Sequence, residues 1–140
     1  MAARTPAPPN GSLHHVEIWV PSLTRATREW SRLLETLGYT LHQDWPGGKS
    51  WRLGHTYLVF EQSPALTGTR HDRCAPGLNH LAFHAGTRHE VDLLTGEALA
   101  AGWTLLFPDR HPHAGGPQQY AAYLENTDGF EIELIASTDS

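Results

Sequence analysis

The feature that most constrains this chain is that it says the same thing twice. Leu13-His14-His15 opens a strand-like segment, and Leu78-Asn79-His80 opens another. Each is followed by one amphipathic helix and three short extended segments. Gly38-Tyr39-Thr40-Leu41 after the first helix matches Gly102-Trp103-Thr104-Leu105 after the second. Trp51 and Glu61 are as far apart as Tyr123 and Glu133, which lays Phe60-Glu61 over Ile132-Glu133. A duplicated β-α-β-β-β module is the economical reading, and two copies imply a pseudo-symmetric pair instead of a solenoid.

Local signals place the elements. In "LHHVEIWV", residues 13–20, His14, Val16, Ile18 and Val20 share one face of a strand, and His15, Glu17 and Trp19 the other. Ser22 is a candidate N-cap, and Ala26, Trp30, Leu33, Leu34 and Leu37 form a helical stripe that Gly38 ends. Strands are predicted over 39–43, 50–53 and 56–62, with turns at "WPGGK" and Gly54-His55. The second module repeats this. "LNHLAFHA" puts Leu81 and Phe83 on the face opposite His80, Ala82 and His84. Thr87 and Glu90 form a capping box, Val91, Leu94, Ala98 and Ala101 line the helix, and Gly102 stops it. "WTLLF", "QYAAYLE" and "FEIELIA" are the remaining strands. The organisation is a tail over 1–11, a module over 12–62, a linker over 63–77 and a module over 78–136. The fold class is α+β: two tandem βαβββ modules forming one domain over 12–136, with a curved mixed sheet around a central cavity.

Composition narrows the function. The net charge of −5 argues against nucleic acid or an anionic membrane as partner. No stretch approaches the apolar length of a membrane span, and the first residues lack a signal-peptide core. The single cysteine, Cys74, allows no internal disulfide, which suits the cytoplasm. It sits among Arg70, His71 and Arg73 in the linker, where a tolerated loop thiol is the simpler reading. Ten histidines in 140 residues point toward metal or proton chemistry without placing a site.

Face alternation does place one. His15, Glu61, His80 and Glu133 all fall on strand faces turned away from the helices. Two imidazoles and two carboxylates suit a divalent first-row metal, with open positions for water or substrate. Glu17 and His84 share that face, and Trp19 points the same way. Glu131 does too, two residues nearer the rim. The loop "PDRHPHAGGPQQY", residues 108–120, is a candidate lid that brings Arg110, His111 or His113 to an anionic substrate. Trp19, His84, Arg110 and His113 are therefore the substrate-binding candidates.

At "HHV", "NHLAF" and "NTDGFEIEL" the sequence resembles the vicinal oxygen chelate superfamily, which includes glyoxalase I, fosfomycin-modifying enzymes, extradiol dioxygenases and bleomycin-binding proteins. The resemblance spans residues 13–136. It implies metal ligands at His15, His80 and Glu133, with Glu61 in the place of glyoxalase I's fourth ligand. The "NTDG" turn departs from the family's usual "DPDG" at Asn126 and Thr127. The resemblance implies a divalent cofactor (Ni, Zn, Mn, Co or Fe), a homodimer, and a small oxygenated substrate chelated through vicinal oxygens. The reaction it implies is isomerase or lyase chemistry of the glyoxalase type, with Glu133 or Glu61 as the catalytic proton shuttle. No glutathione-binding arginine pair is visible. The alternatives are epoxide opening of the fosfomycin type, extradiol dioxygenation on the same metal site, and metal-free drug sequestration as in bleomycin-resistance proteins. Those sequestering relatives lack the ligands that are present here.

Overall fold

The computed structural model describes residues 6–137. The first strand, β1 (His15–Trp19), leads into helix α1 (Leu23–Thr36), then β2 (Thr40–Trp45), β3 (Gly48–Leu53) and β4 (Thr56–Glu61). The second module follows as β5 (His80–His84), α2 (Arg88–Ala101), β6 (Thr104–Leu105), β7 (Ala121–Glu125) and β8 (Glu131–Ile135). The expected tail over 1–11 lies partly outside the described residues.

Both helices begin where their caps dictate. The Ser22 hydroxyl accepts the Arg25 amide at 3.2 Å. Thr87 and Glu90 close a reciprocal capping box, so two otherwise unpaired amides of the first turn are satisfied. Gly102 ends α2 at φ +119°, and Gly38 follows α1 at φ +104°, a region that a side chain would strain.

Each module forms its own four-stranded sheet, in the orders β1-β4-β3-β2 and β5-β8-β7-β6. The pairs β1 with β4 and β5 with β8, each at one edge of its sheet, are parallel, and the other pairs are antiparallel. These are the two mixed-sheet βαβββ modules of the α+β class expected above. Among the described residues no strand of one sheet pairs with a strand of the other, and β1 and β5 remain edge strands.

The two modules are joined on their helix sides by one continuous core. Trp30 of α1 meets Trp103 edge-on at 4.9 Å and Phe60 of β4 at the same separation. The Trp103 indole N–H donates to the Glu29 carbonyl at 2.8 Å, which gives a fully enclosed ring its polar partner. Arg25 of α1 reaches Asp128 in the β7–β8 turn at 2.5 Å, and the Thr127 hydroxyl donates to Glu29. With the helix-side faces used in this way, the opposite face of β1 is left open. His15, Glu17 and Trp19 are exposed, while Ile18 and Val20 are buried.

β6 is shorter than "WTLLF" suggested. Only Thr104 and Leu105 pair with β7 before the chain turns at Phe107, which holds φ +53°. No helix among the described residues is long and apolar enough to cross a membrane.

Candidate metal and acid-base centre

The parallel pairing of β5 with β8 sets His80 opposite Glu131 and Ala82 opposite Glu133. The His80 and Glu133 side chains, one step apart on the same face, therefore meet diagonally. His80 Nε2 lies 3.1 Å from Glu133 Oε1. The other ring nitrogen, Nδ1, lies 2.6 Å from Asn79 Oδ1 and 3.9 Å from Glu131 Oε2. The second oxygen of Glu133 accepts from the Gln119 amide. Glu133 is 5% exposed, so both of its oxygens are engaged away from bulk water.

The surroundings are tuned by burial. Tyr123 pairs with Glu133 across β7 and β8. Burial and the Glu133 carboxylate beside it push the Tyr123 phenol up to about 12. Glu131, expected near the rim, is instead buried at 4% exposure. Burial raises its carboxyl above the ordinary value, and Arg73, 3.1 Å away, opposes the rise. Arg73 also donates to Glu125, which Arg70 shares, so both linker guanidiniums are engaged. Cys74 between them is exposed and free.

The other two predicted ligands lie on the first sheet. His15 is exposed, stacks on Tyr57 at 5.1 Å, and holds its Nδ1 2.9 Å from His14 Nδ1. Glu61 pairs with Trp19, whereas His15 pairs with Tyr57. Four residues of strand, about 13 Å, separate the two levels. The structure corrects the correspondence that put Glu61 over Glu133. Counted from the first histidines, His15–Tyr57 matches His80–Glu131, so the counterpart of Glu133 is Val59. The reason is hairpin length. Gly54 and His55 alone join β3 to β4, while residues 126–130 join β7 to β8. Equal intervals along the chain thus hide unequal turns.

Among the described residues no three His, Cys, Asp or Glu side chains come close enough to share one metal ion. The structure brings together His80 and Glu133 and leaves His15 and Glu61 apart from them. The donor chemistry of the pair nevertheless fits a metal. Two ligands each about 2.0–2.1 Å from one ion, at right-angled to tetrahedral spacing, stand about 3 Å apart. His80 Nε2 and Glu133 Oε1 do.

Of the substrate-binding candidates, Arg110 lies over the Phe107 ring at 4.9 Å, and that ring meets Tyr123 edge-on at 5.6 Å. Arg110 is thereby linked through the Phe107 and Tyr123 rings to the Glu133 side of the sheet. His113 turns to its own loop, within 3.1 Å of the Gln119 carbonyl. His84 is exposed at the far end of β5, opposite Ile135. Trp19 donates to Glu17 at 2.7 Å. Glu17 and Trp19 both line a concavity of about 760 Å3 between β1 and the linker, which does not include His80 or Glu133. Its lining mixes apolar side chains such as Val16, Leu78 and Phe130 with Glu17, Arg70, His71 and Asp72. The pair of metal-type donors in contact with each other lies on the second sheet. Gln119, Tyr123 and Asn79 were missed as site residues. Tyr123 was findable, since it shares a face with Glu133 on the next strand, but "PQQY" carries no signal for Gln119.

Comparison with known proteins agrees with this architecture. Residues 14–123 match the model of the Glyoxalase/Bleomycin resistance protein/Dioxygenase superfamily. The chain belongs to that superfamily. The uncharacterized protein YqjT of Bacillus subtilis (strain 168) is 43% identical over 126 residues, covering 89% of this chain and 98% of YqjT. The crystal structure of a candidate glyoxalase from Bacillus halodurans superposes with a TM-score of 0.86 at 44% identity, covering 91% of this chain and 97% of that one. A lactoylglutathione lyase from Agrobacterium tumefaciens shares the fold at 17% identity and a TM-score of 0.61, covering 94% of this chain and 97% of that one. Superfamily membership accounts for the duplicated modules and for the two open sheets.

Proposed function

We propose that this protein is a divalent-metal-dependent enzyme of the glyoxalase type, acting on a small substrate with vicinal oxygens by isomerase or lyase chemistry. The observation that carries the reading is the His80–Glu133 pair, two metal-type donors 3.1 Å apart on a partly enclosed sheet face. His15 is the third protein ligand. Because one chain does not bring it to the pair, a second copy does, and the enzyme is a homodimer whose sites combine the first sheet of one copy with the second sheet of the other. The open face of β1 and the unpaired edges of β1 and β5 support that arrangement.

A bound divalent ion supplies Lewis acidity to the substrate oxygens. The chain's own residues do the rest. His80 and Glu133 hold the substrate's oxygen-bearing carbons beside a carboxylate. Glu133 Oε1 accepts a proton from one carbon and returns it to its neighbour. Gln119, bonded to Oε2, keeps the carboxylate from turning away. Arg110, on the Phe107 ring, offers a positive charge to an anionic substituent.

One structural fact favours a second reading of the same site. With Glu61 out of register, the ligand set is two histidines and one carboxylate, the face that iron oxygenases use. Metal content separates the two. Protein purified without added metal, analysed by mass spectrometry, is expected to carry nickel, zinc, manganese or cobalt for the first reading and iron for the second. A His80→Ala variant with unchanged metal occupancy overturns both. Mixing His15→Ala with His80→Ala protein is expected to restore metal binding to a fraction of sites. Absence of any recovery removes the shared-site dimer.

A further inference from the structure

We propose that the first sheet carries a binding site for a small organic cation with an alkylammonium group, built from Trp19, Glu61 and Trp45 at the end of the open face away from His15. The site goes beyond the metal reading above and does not depend on it.

Register puts the three side chains in one row across the sheet. Trp19 on β1 pairs with Glu61 on β4, Glu61 with Gly48 on β3, and Gly48 with Trp45 on β2. Paired residues of neighbouring strands project from the same face, so Glu61 stands between the two tryptophans. Three strand spacings, about 14 Å, separate the backbones of Trp19 and Trp45. The Trp45 ring narrows that gap by lying across Gly48, where a Cβ would come within 2.3 Å of its Cζ2 atom. Glycine in this place of the row lets the indole lie one strand from Glu61. On the other side, the Trp19 indole N–H donates to Glu17 Oε2 at 2.7 Å, which fixes a ring that is 39% exposed.

The chain does not neutralise the charge in this row. Among the described residues the Glu61 carboxylate has no hydrogen-bond or ion-pair partner. Lys49 and Arg52, the lysine and arginine of the first sheet, are engaged elsewhere. Lys49 pairs with Phe60 on the opposite face and binds Asp44 at 3.1 Å. Arg52 lies in the Tyr57 row and donates to the Gly54 carbonyl at 2.7 Å. Glu17, two residues from Trp19 on the same face, adds a second carboxylate. The π faces of the indoles and the carboxylates both favour positive charge, and an anion is repelled. A hard metal ion asks for more oxygen ligands than Glu61 supplies. An alkylammonium group, whose charge is spread over apolar carbons, suits a carboxylate between two indoles.

The test uses choline as probe and its neutral isostere, 3,3-dimethylbutan-1-ol, as control. Each is titrated into the full-length protein while the indole 1H–15N NMR peaks are followed. Choline is expected to shift the Trp19 and Trp45 peaks saturably and to leave those of the buried Trp30 and Trp103 in place. The alcohol, which has the same shape without the charge, is expected to bind about tenfold more weakly. Glu61→Gln keeps the shape of a half-buried side chain and is expected to weaken choline about tenfold, and Trp45→Leu by a similar factor. Tyr57→Leu, four residues from Glu61 along β4 and so about 13 Å away, is expected to leave choline affinity unchanged. No saturable shift, equal affinity for choline and the alcohol, or Glu61→Gln binding choline like the wild type overturns the proposal. Loss of choline binding in Tyr57→Leu moves the cation to the rings of His15, Tyr57 and His42 and overturns it as well.

Discussion

Arg25→Met gives the most direct test of how the second sheet is held in place. Arg25 Nη2 lies 2.5 Å from Asp128 Oδ1. Asp128 is 1% exposed, while the Arg25 side chain is 32% exposed. The other Asp128 oxygen has no hydrogen-bond partner. Methionine keeps most of the apolar stem and removes the guanidinium, so the substitution strands a carboxylate that water cannot reach. Breaking a buried pair from one side costs about 3–5 kcal/mol. Because Arg25 is partly solvated, part of that attraction is already screened, and about 2–3 kcal/mol is expected. At a urea slope of about 1–3 kcal/mol per molar, the unfolding midpoint falls by about 0.7–3 M with the slope unchanged. Asp128→Asn removes the charge without orphaning it and is expected to cost about 1 kcal/mol. The double variant is then more stable than Arg25→Met alone, because the stranded charge is gone. Arg25→Met within about 0.5 kcal/mol of wild type, or a double variant at the sum of the singles, refutes the reasoning.

Three further outcomes follow from the same region. Gly129 holds φ +92°, and a Cβ there runs into the His71 carbonyl oxygen, so Gly129→Ala is expected to cost about 3 kcal/mol in denaturant unfolding through strain and overlap. Tyr123 is held up to about 12 against an ordinary 10, so the native state binds the phenolic proton more tightly than the unfolded chain. Stability tied to Tyr123 is therefore complete below pH 10 and falls as pH rises from 10 toward 12, and Tyr123→Phe flattens that decline and removes the late phenolate signal in an ultraviolet titration. Gln119→Ala removes the amide that seats residues 106–120 on Glu133. Hydrogen exchange in that loop is expected to speed up about tenfold, as for one charge-assisted hydrogen bond of about 1.5 kcal/mol, while the global unfolding midpoint stays put.

What could be read from the sequence was what is decided locally. Ser22, the Thr87–Glu90 box, Gly38 and Gly102 act within one helical turn, and each behaves as its residue type dictates. Strand alternation is equally local, and it put His15 and His80 on faces turned away from the helices. Register is not local. It depends on how many residues a hairpin spends turning, and nothing in Gly54-His55 or "NTDGF" announces that one turn spends three more than the other. Glu61 was misplaced for that reason, and the two-residue β6 was overcalled because the chain departs at Phe107. Glu131 was misjudged because its cover, Arg73, comes from a linker that composition alone describes as loop.

Alternation fixes a face but not a distance, and this is what limits any reading of the centre from one chain. His80 and Glu133 meet because β5 and β8 are hydrogen-bonded neighbours, so one shared register sets both. His15 obeys the same rule on β1, yet no register links β1 to β5. The helices and the Trp30–Trp103 contact decide where the two sheets stand, and they bind the modules through the faces opposite the donors. A core built this way cannot also close the donor faces on each other within one chain. On the dimer reading proposed above, the duplication leaves two half-sites per molecule. Glu133 is covered within its own module by His80 and Gln119, while His15 lies exposed on the open face of β1. Two-fold pairing of identical chains returns both missing halves at once, which is why a symmetric dimer is the simplest assembly able to complete the centre.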